Sequence, residues 1–194
     1  MRPNSSSELP YLGNPEIVEK QINGKTVLDT VYPFVPPYSF VDQDSNLVTN
    51  ETFRGKIYVV DFIFLSCPTI CPKMTRELNQ VYRTFRREKD VLFLSHTIDP
   101  LNDSIPRLKT YALSLKAVSS KWHFVTGNQD EIMDIADKGY YSIAKKDSLS
   151  PGGYAHSGGL LLIDRKGHIR GVYDGTNHQE TIRLEADIKL LLEE

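Results

Sequence analysis

Hydrophobic and polar positions change rhythm along this chain, and each change marks an element. Up to about residue 38 no period holds, and Pro33, Pro36 and Pro37 break any continuous helix, which predicts an irregular N-terminal tether or extension (1–38) laid on the core. From Phe40 to Thr49, two strand-like ends flank the polar Asp44-Ser45-Asn46, the pattern of a hairpin. Lys56 to Leu65 is a nearly continuous β-branched and aromatic run, as expected of a strand buried on both faces, and it ends directly before Cys67. Met74, Leu78, Val81 and Phe85 then recur at helical spacing, and proline is comfortable at a first helical position, so the helix is predicted to start at Pro72.

The alternation continues downstream. Val91 to Ile98 reads as a second buried strand, and Asn102 to Pro106 as the capped start of a helix carrying Leu108, Tyr111, Ala112 and Leu115. Trp122 to Val125 is a short strand, Asn128 an N-cap, and Ile132, Ile135 and Ala136 mark a helix that stops at Gly139. A polar loop from Lys145 to Tyr154 precedes strand Leu160–Asp164, a turn at Arg165-Lys166-Gly167, strand His168–Tyr173 and a helix from His178 to Leu192. The order β-α-β-α followed by β-β-α predicts an α/β domain over 39–194, a central mixed sheet flanked by helices. No internal repeat or low-complexity region interrupts it.

Composition narrows the function more than the fold. A chain of 194 residues with 40% hydrophobic and 25% charged residues fits one soluble core and excludes a collagenous, wholly disordered or membrane-spanning protein. The longest apolar stretch, Ile57 to Leu65, contains Asp61 and is far shorter than the roughly 20 residues of a membrane span. A net charge of -2 supplies no global basic field, so nucleic acid and anionic membrane are poor partners. The polar start, Met1 to Glu8, has no apolar signal core; it reads as a tether, or equally as a boundary downstream of a removed signal or anchor. Function is therefore sought in a local site.

That site is marked by the cysteines, which number two and fall at Cys67 and Cys71. Two are too few for a disulfide scaffold, but they sit where a buried strand hands over to a helix, and the positive end of a helix favours thiolate. Three residues separate them, not the two of a redox C-x-x-C, which raises metal binding; a reversible disulfide and a pair of inert buried thiols remain the alternatives. Two sulfurs leave a metal incomplete, and among five histidines His156 stands apart in the flexible Pro151-Gly-Gly-Tyr-Ala-His-Ser-Gly-Gly loop. A loop histidine is otherwise simply solvated. His96, at the end of the second buried strand, is the reserve candidate; His123, His168 and His178 read as strand, surface-strand and cap residues.

These residues resemble the Sco/SenC copper chaperones of cytochrome c oxidase assembly, which have a thioredoxin-like fold. The resemblance runs from about Phe40 to the C-terminus and rests on Cys67-Pro-Thr-Ile-Cys71-Pro, on Thr97-Ile-Asp99-Pro100 with Asp103-Ser104, and on His156-Ser with Leu162-Ile-Asp164-x-x-Gly167. It implies copper ligands at Cys67, Cys71 and His156, a donor set suited to Cu(I) and able to hold Cu(II). It also implies a monomer at the extracytoplasmic face of the membrane, anchored only by a segment absent from this chain, with an upstream copper donor and a copper-accepting oxidase subunit as partners.

Two features depart from the simplest copper site. Many family members carry an acidic residue just before the ligand histidine, where Ala155 stands here, so any outer carboxylate comes from elsewhere. Asp61 lies six residues before Cys67, the offset of the buried aspartate that assists proton transfer in thioredoxins. Buried, it would have a raised pKa and take a thiol proton; at a solvated sheet position it would be ordinary. The competing reading is thus a thiol-disulfide reductase cycling a Cys67–Cys71 disulfide. A peroxiredoxin is largely excluded, because its P-x-x-x-T-x-x-C pattern requires Thr at 64, which is Phe.

Overall fold

The computed structural model describes residues 8–142, 144–146, 154–156 and 158–194, with the short strands at 144–146 and 154–156 described by their backbone. Eleven strands and four α-helices follow in chain order among them. They are β1 (Glu16–Ile22), β2 (Lys25–Val31), β3 (Ser39–Asp42), β4 (Leu47–Thr49), β5 (Ile57–Ile63), α1 (Ile70–Phe85), β6 (Val91–Thr97), α2 (Ile105–Ser114), β7 (Trp122–Thr126), α3 (Gln129–Asp134), β8 (Ala144–Lys146), β9 (Tyr154–His156), β10 (Gly159–Ile163), β11 (Ile169–Asp174) and α4 (His178–Glu193).

Seven strands form one mixed sheet in the order β11-β10-β5-β6-β7-β3-β4. β5, β6 and β7 run parallel, while β10 joins β5, and β3 joins β7, antiparallel. Every residue of β5 and β6 is buried, which explains their unbroken apolar runs: both faces of these central strands are covered. Leu78 and Val81 of α1, Leu108 of α2 and Leu184 and Ile188 of α4 pack on one face against Ile57, Val59 and Phe93. Ile132 of α3, with Ile135, Ala136 and Tyr140 just beyond it and Val35 from the N-terminal approach, covers the other face with Phe40 of β3, Val60, Phe62 and Leu94. This is the thioredoxin-like arrangement expected.

Three expectations change. Residues 16–31 are not irregular: β1 and β2 pair antiparallel in full register, turning at Asn23 (φ 52°) and Gly24 (φ 74°). Asn-Gly is the preferred pair for a tight hairpin turn, because both residues tolerate positive φ. α1 begins at Ile70, so Cys71 is its second residue and Pro72 its third. The earlier start costs no hydrogen bond, since N–H groups of a first helical turn have no intrahelical partner for Pro72 to forfeit. Finally, the predicted loop from Lys145 to Tyr154 lies in part outside the described residues, but its ends belong to a ladder in which Ala144 pairs with His156 and Lys146 with Tyr154.

Candidate metal centre

The cysteines are positioned by the junction between β5 and α1. After Ile63 the chain turns, with the Cys67 N–H donating to the Phe64 carbonyl at 3.1 Å. Both cysteines are thiols, joined by no disulfide, and both are buried, at 7% and 3% exposure. The Cys71 N–H, free of any intrahelical acceptor because it lies in the first turn, donates to Cys67 Sγ at 3.5 Å, and Thr69 Oγ1 lies 3.8 Å from the same sulfur. A cavity of about 320 Å³ between α1 and α2 opens beside them, lined by Phe64, Cys67, Cys71, Thr75, Arg76 and Tyr111 among others.

This geometry makes the two thiols unequal. Burial works against ionisation of Cys67, but the hydrogen bonds from Cys71 and Thr69 outweigh it and hold its pKa below the ordinary thiol value. Burial pushes the Cys71 thiol far above that value; a backbone hydrogen bond at Phe64 offsets this only in part, and the neighbouring Cys67 and Asp61 push it further up. Cys67 is thus the first thiolate and Cys71 the proton-bearing partner.

Asp61 is buried at 1% exposure, which settles its two readings against a solvated position. Trp122 Nε1–H donates to Ser95 Oγ at 2.9 Å, and the Ser95 hydroxyl donates in turn to Asp61 Oδ1 at 2.5 Å. Burial pushes the Asp61 carboxyl up to about 7, the Ser95 hydrogen bond notwithstanding. Its Oδ2 has no hydrogen-bond partner among the described residues, an arrangement far cheaper for a protonated than for an ionised carboxyl.

Three residues of the site carry roles not foreseen. Asp103, six residues beyond the end of β6 at Thr97, accepts the Leu65 N–H at 3.0 Å and the Thr97 hydroxyl at 2.7 Å through Oδ2, clamping the segment that leads into Cys67. Tyr111, expected only as an apolar face of α2, walls the cysteine cavity and donates its hydroxyl to Thr75 Oγ1 at 2.8 Å, fixing α2 against α1. Asp103 was visible as part of a motif; for Tyr111 and Thr75 the only signal was their helical spacing.

The histidines separate cleanly. His96 is fully buried, stacked on Phe62 with ring centroids 5.1 Å apart and edge-on to Phe40 at 5.3 Å. Burial lowers its pKa to about 3, so it is a neutral ring in an aromatic enclosure and does not line the cysteine cavity. Nδ1 of His123 bonds Asp42 at 3.0 Å, that of His168 the Pro33 carbonyl at 3.0 Å, and that of His178 Glu77 at 2.9 Å. His156 closes β9, and its side chain lies outside the described residues. The backbone just beyond it packs against α1: a Cβ placed on Gly158 would lie 3.7 Å from Ile70 Cδ1 and 3.8 Å from Met74 Sδ. Gly158 has φ of +67°, a conformation in which glycine is unstrained. Two residues span at most about 7 Å, so the His156 backbone stays within that distance of this contact. Among the described residues, no three His, Cys, Asp or Glu side chains gather into a metal-binding group.

The sequence profile of the SCO1/SenC family matches residues 28–193. The chain belongs to that family. A SCO1/SenC family lipoprotein from Bacillus anthracis superposes with a TM-score of 0.75 at 27% identity, covering 82% of this chain and 95% of that one. BsSco, described as a Sco-family cytochrome c oxidase assembly protein with a disulfide switch, gives 0.71 at 30% identity, over 81% of this chain and 92% of its own. Yeast Sco1 with copper bound gives 0.63 at 25% identity, over 80% and 88%. The thioredoxin-like fold of this Sco homologue is thus the fold of its solved relatives.

Proposed function

We propose that this Sco protein is a copper-binding metallochaperone that delivers copper to, or prepares, the copper centre of a cytochrome oxidase subunit, with Cys67, Cys71 and His156 as ligands. The observation that carries this reading is the pair of unequal thiols at one helix start, together with the engagement of the other four histidines elsewhere. Two sulfurs and an imidazole are a soft donor set that suits Cu(I) and tolerates Cu(II). Cys67 offers a thiolate at once, while binding of copper at Cys71 displaces that thiol's proton, so copper capture is coupled to proton release. Copper binding by yeast Sco1, and the oxidase-assembly role stated for BsSco, support the assignment. The upstream donor and accepting oxidase subunit follow as partners of a monomer. An extracytoplasmic, membrane-anchored location is supported by the lipoprotein relative; among the described residues no helix is long and apolar enough to cross a membrane.

Copper titration of the reduced protein tests this. One equivalent is expected to bind, and Cys67→Ser or Cys71→Ser is expected to abolish tight binding; unchanged binding in either variant would overturn the reading.

A second reading is favoured by Asp61 and by the disulfide switch of BsSco. The Cys67 thiolate attacks a client disulfide, forming a mixed disulfide and releasing one client thiolate. Cys71, losing its proton to ionised Asp61, then attacks Cys67 Sγ, expelling the second client sulfur as a thiolate and leaving a Cys67–Cys71 disulfide and a protonated Asp61. Two electrons pass to the client. Disulfide turnover on a peptide client is expected to fall in Asp61→Asn with copper affinity retained; absence of turnover in both proteins removes this reading.

A further inference from the structure

The solvent face of α1 is basic although the protein as a whole is not. Six of the seventeen residues from 73 to 89 are Lys or Arg, in a chain of net charge -2. Lys73, Arg76, Arg83 and Arg87 fall at i, i+3, i+10 and i+14, one stripe of the helix surface and its immediate continuation, and all four are exposed. The stripe begins at the cysteines: Lys73 is two residues past Cys71, and Arg76 lines the cavity that Cys67 and Cys71 share.

It is neutralised only in part: Asp174 lies close enough to Lys73 to feel its charge, without an ion pair within 4 Å among the described residues. Arg76 reaches only Glu77, at 3.8 Å, and that carboxylate is already held by His178 and Thr181. Glu185, the acid on the adjoining helix α4, accepts the Thr84 hydroxyl. Among the described residues Arg83, Arg86, Arg87 and Lys89 make no ion pair within 4 Å.

Helix stability accounts for half of this pattern. Cations at the C-terminal end, Arg83 to Arg87, interact favourably with the helix dipole. Lys73 stands in the first turn, where the dipole disfavours a cation; that turn contains no acidic residue and Thr69 makes no capping bond. Charge has been placed here against local stability, beside the reactive sulfurs.

We infer that this stripe is the docking surface for a partner protein that presents an acidic segment next to its own thiol or copper-binding group. The inference rests on the proposed role of Cys67 and Cys71 and names the chemistry of what approaches them. Charge complementarity selects the occupant, steering an acidic partner along about 15 Å of helix from Arg83 to Lys73 so that it arrives at the cysteine mouth. A lipid surface fits less well, because α1 exposes no large hydrophobic side chain to insert among headgroups.

The test uses reduced protein and two synthetic peptides, each beginning with a cysteine activated as a 2-thiopyridyl disulfide and followed by eight Glu or eight Gln. The Cys67 thiolate displaces pyridine-2-thione, whose absorbance reports the rate, and a mixed disulfide forms. The acidic peptide is expected to react about tenfold faster at low ionic strength, with the advantage lost at high salt. Lys73→Glu/Arg83→Glu/Arg87→Glu, which spares the cavity-lining Arg76, is expected to remove the advantage, and reversal of the remote exposed Lys25, Lys138 and Lys166 to keep it. Equal rates for both peptides, or an advantage that survives the stripe reversal, would overturn the inference. So would stripe-dependent sedimentation with phosphatidylglycerol vesicles without a peptide preference, which would assign the face to lipid. Copper affinity of the stripe variant is measured alongside and is expected to be unchanged, so failure of docking and failure of the copper site are read separately.

Discussion

Four residues apart on one helix start, Cys67 and Cys71 sit in opposite electrostatic situations. Cys67 receives the N–H and hydroxyl hydrogen bonds that stabilise a thiolate; Cys71 is sealed under it. Iodoacetamide at neutral pH should therefore label Cys67 first, with Cys71 following only at higher pH, and peptide mass spectrometry resolves the two; equal labelling would contradict the assigned hydrogen bonds. Asp61 makes a separate demand. The unfolded chain gives up this proton near pH 4, whereas the folded protein keeps it to about 7, so the folded state binds more protons between those values. Stability contributed by this residue is complete below pH 4 and is withdrawn as pH rises to 7, by roughly 4 kcal/mol at most for a shift of this size. Urea unfolding of Asp61→Asn should show a flatter pH dependence than wild type from pH 5 to 8. Identical slopes would mean that Asp61 is ionised in the folded protein.

At the scale of elements, the site depends on how β5, α1 and α2 are tied together. Asp103 reaches back 38 residues to the Leu65 N–H and also holds Thr97, joining the loop before Cys67 to the loop before α2. Asp103→Ala strands a buried N–H and a hydroxyl, and should lower stability by about 3 kcal/mol and slow copper uptake, by denaturation and stopped-flow. An effect confined to stability, with uptake unchanged, would show that the clamp does not position the cysteines. Individual elements were legible because each carries its period locally: β5 and β6 as unbroken apolar runs, α1 through Met74, Leu78, Val81 and Phe85. The start of α1 was not, since Pro72 is equally comfortable at several first-turn positions. The Asp103 clamp was illegible as a contact, because it joins residues adjacent only after the sheet has formed.

For the whole molecule, the N-terminal hairpin is loosely bound to the rest. Among the described residues β1 and β2 pair only with each other, and most of their residues are exposed. Its two ends meet at the core: Tyr11 stacks on Tyr32 at 4.9 Å, and a Cβ on Gly13 would fall 2.5 Å from Pro33 Cγ. Replacing 16–31 with a short Gly-Ser linker should thus change the unfolding midpoint little, by less than about 1 kcal/mol, as read by calorimetry. A larger loss would reveal that the hairpin braces the sheet. The Asn23-Gly24 turn was present in the sequence, but three prolines shortly after it masked the alternation on either side. Chemistry was the more legible part: Cys67 and Cys71 were named from strand-to-helix position and Asp61 from its six-residue offset to Cys67, and what folding added was their unequal acidity, the ring packing of His96 and the hydrogen bonds of His123, His168 and His178. The proposed copper site takes its imidazole from His156. Titration of reduced wild type and His156→Ala with Cu(II), followed through the thiolate-to-copper absorption band, tests this most directly: the variant should lose Cu(II) affinity and the wild-type spectrum while retaining Cu(I) on the two sulfurs, and equal Cu(II) binding by both proteins would contradict it.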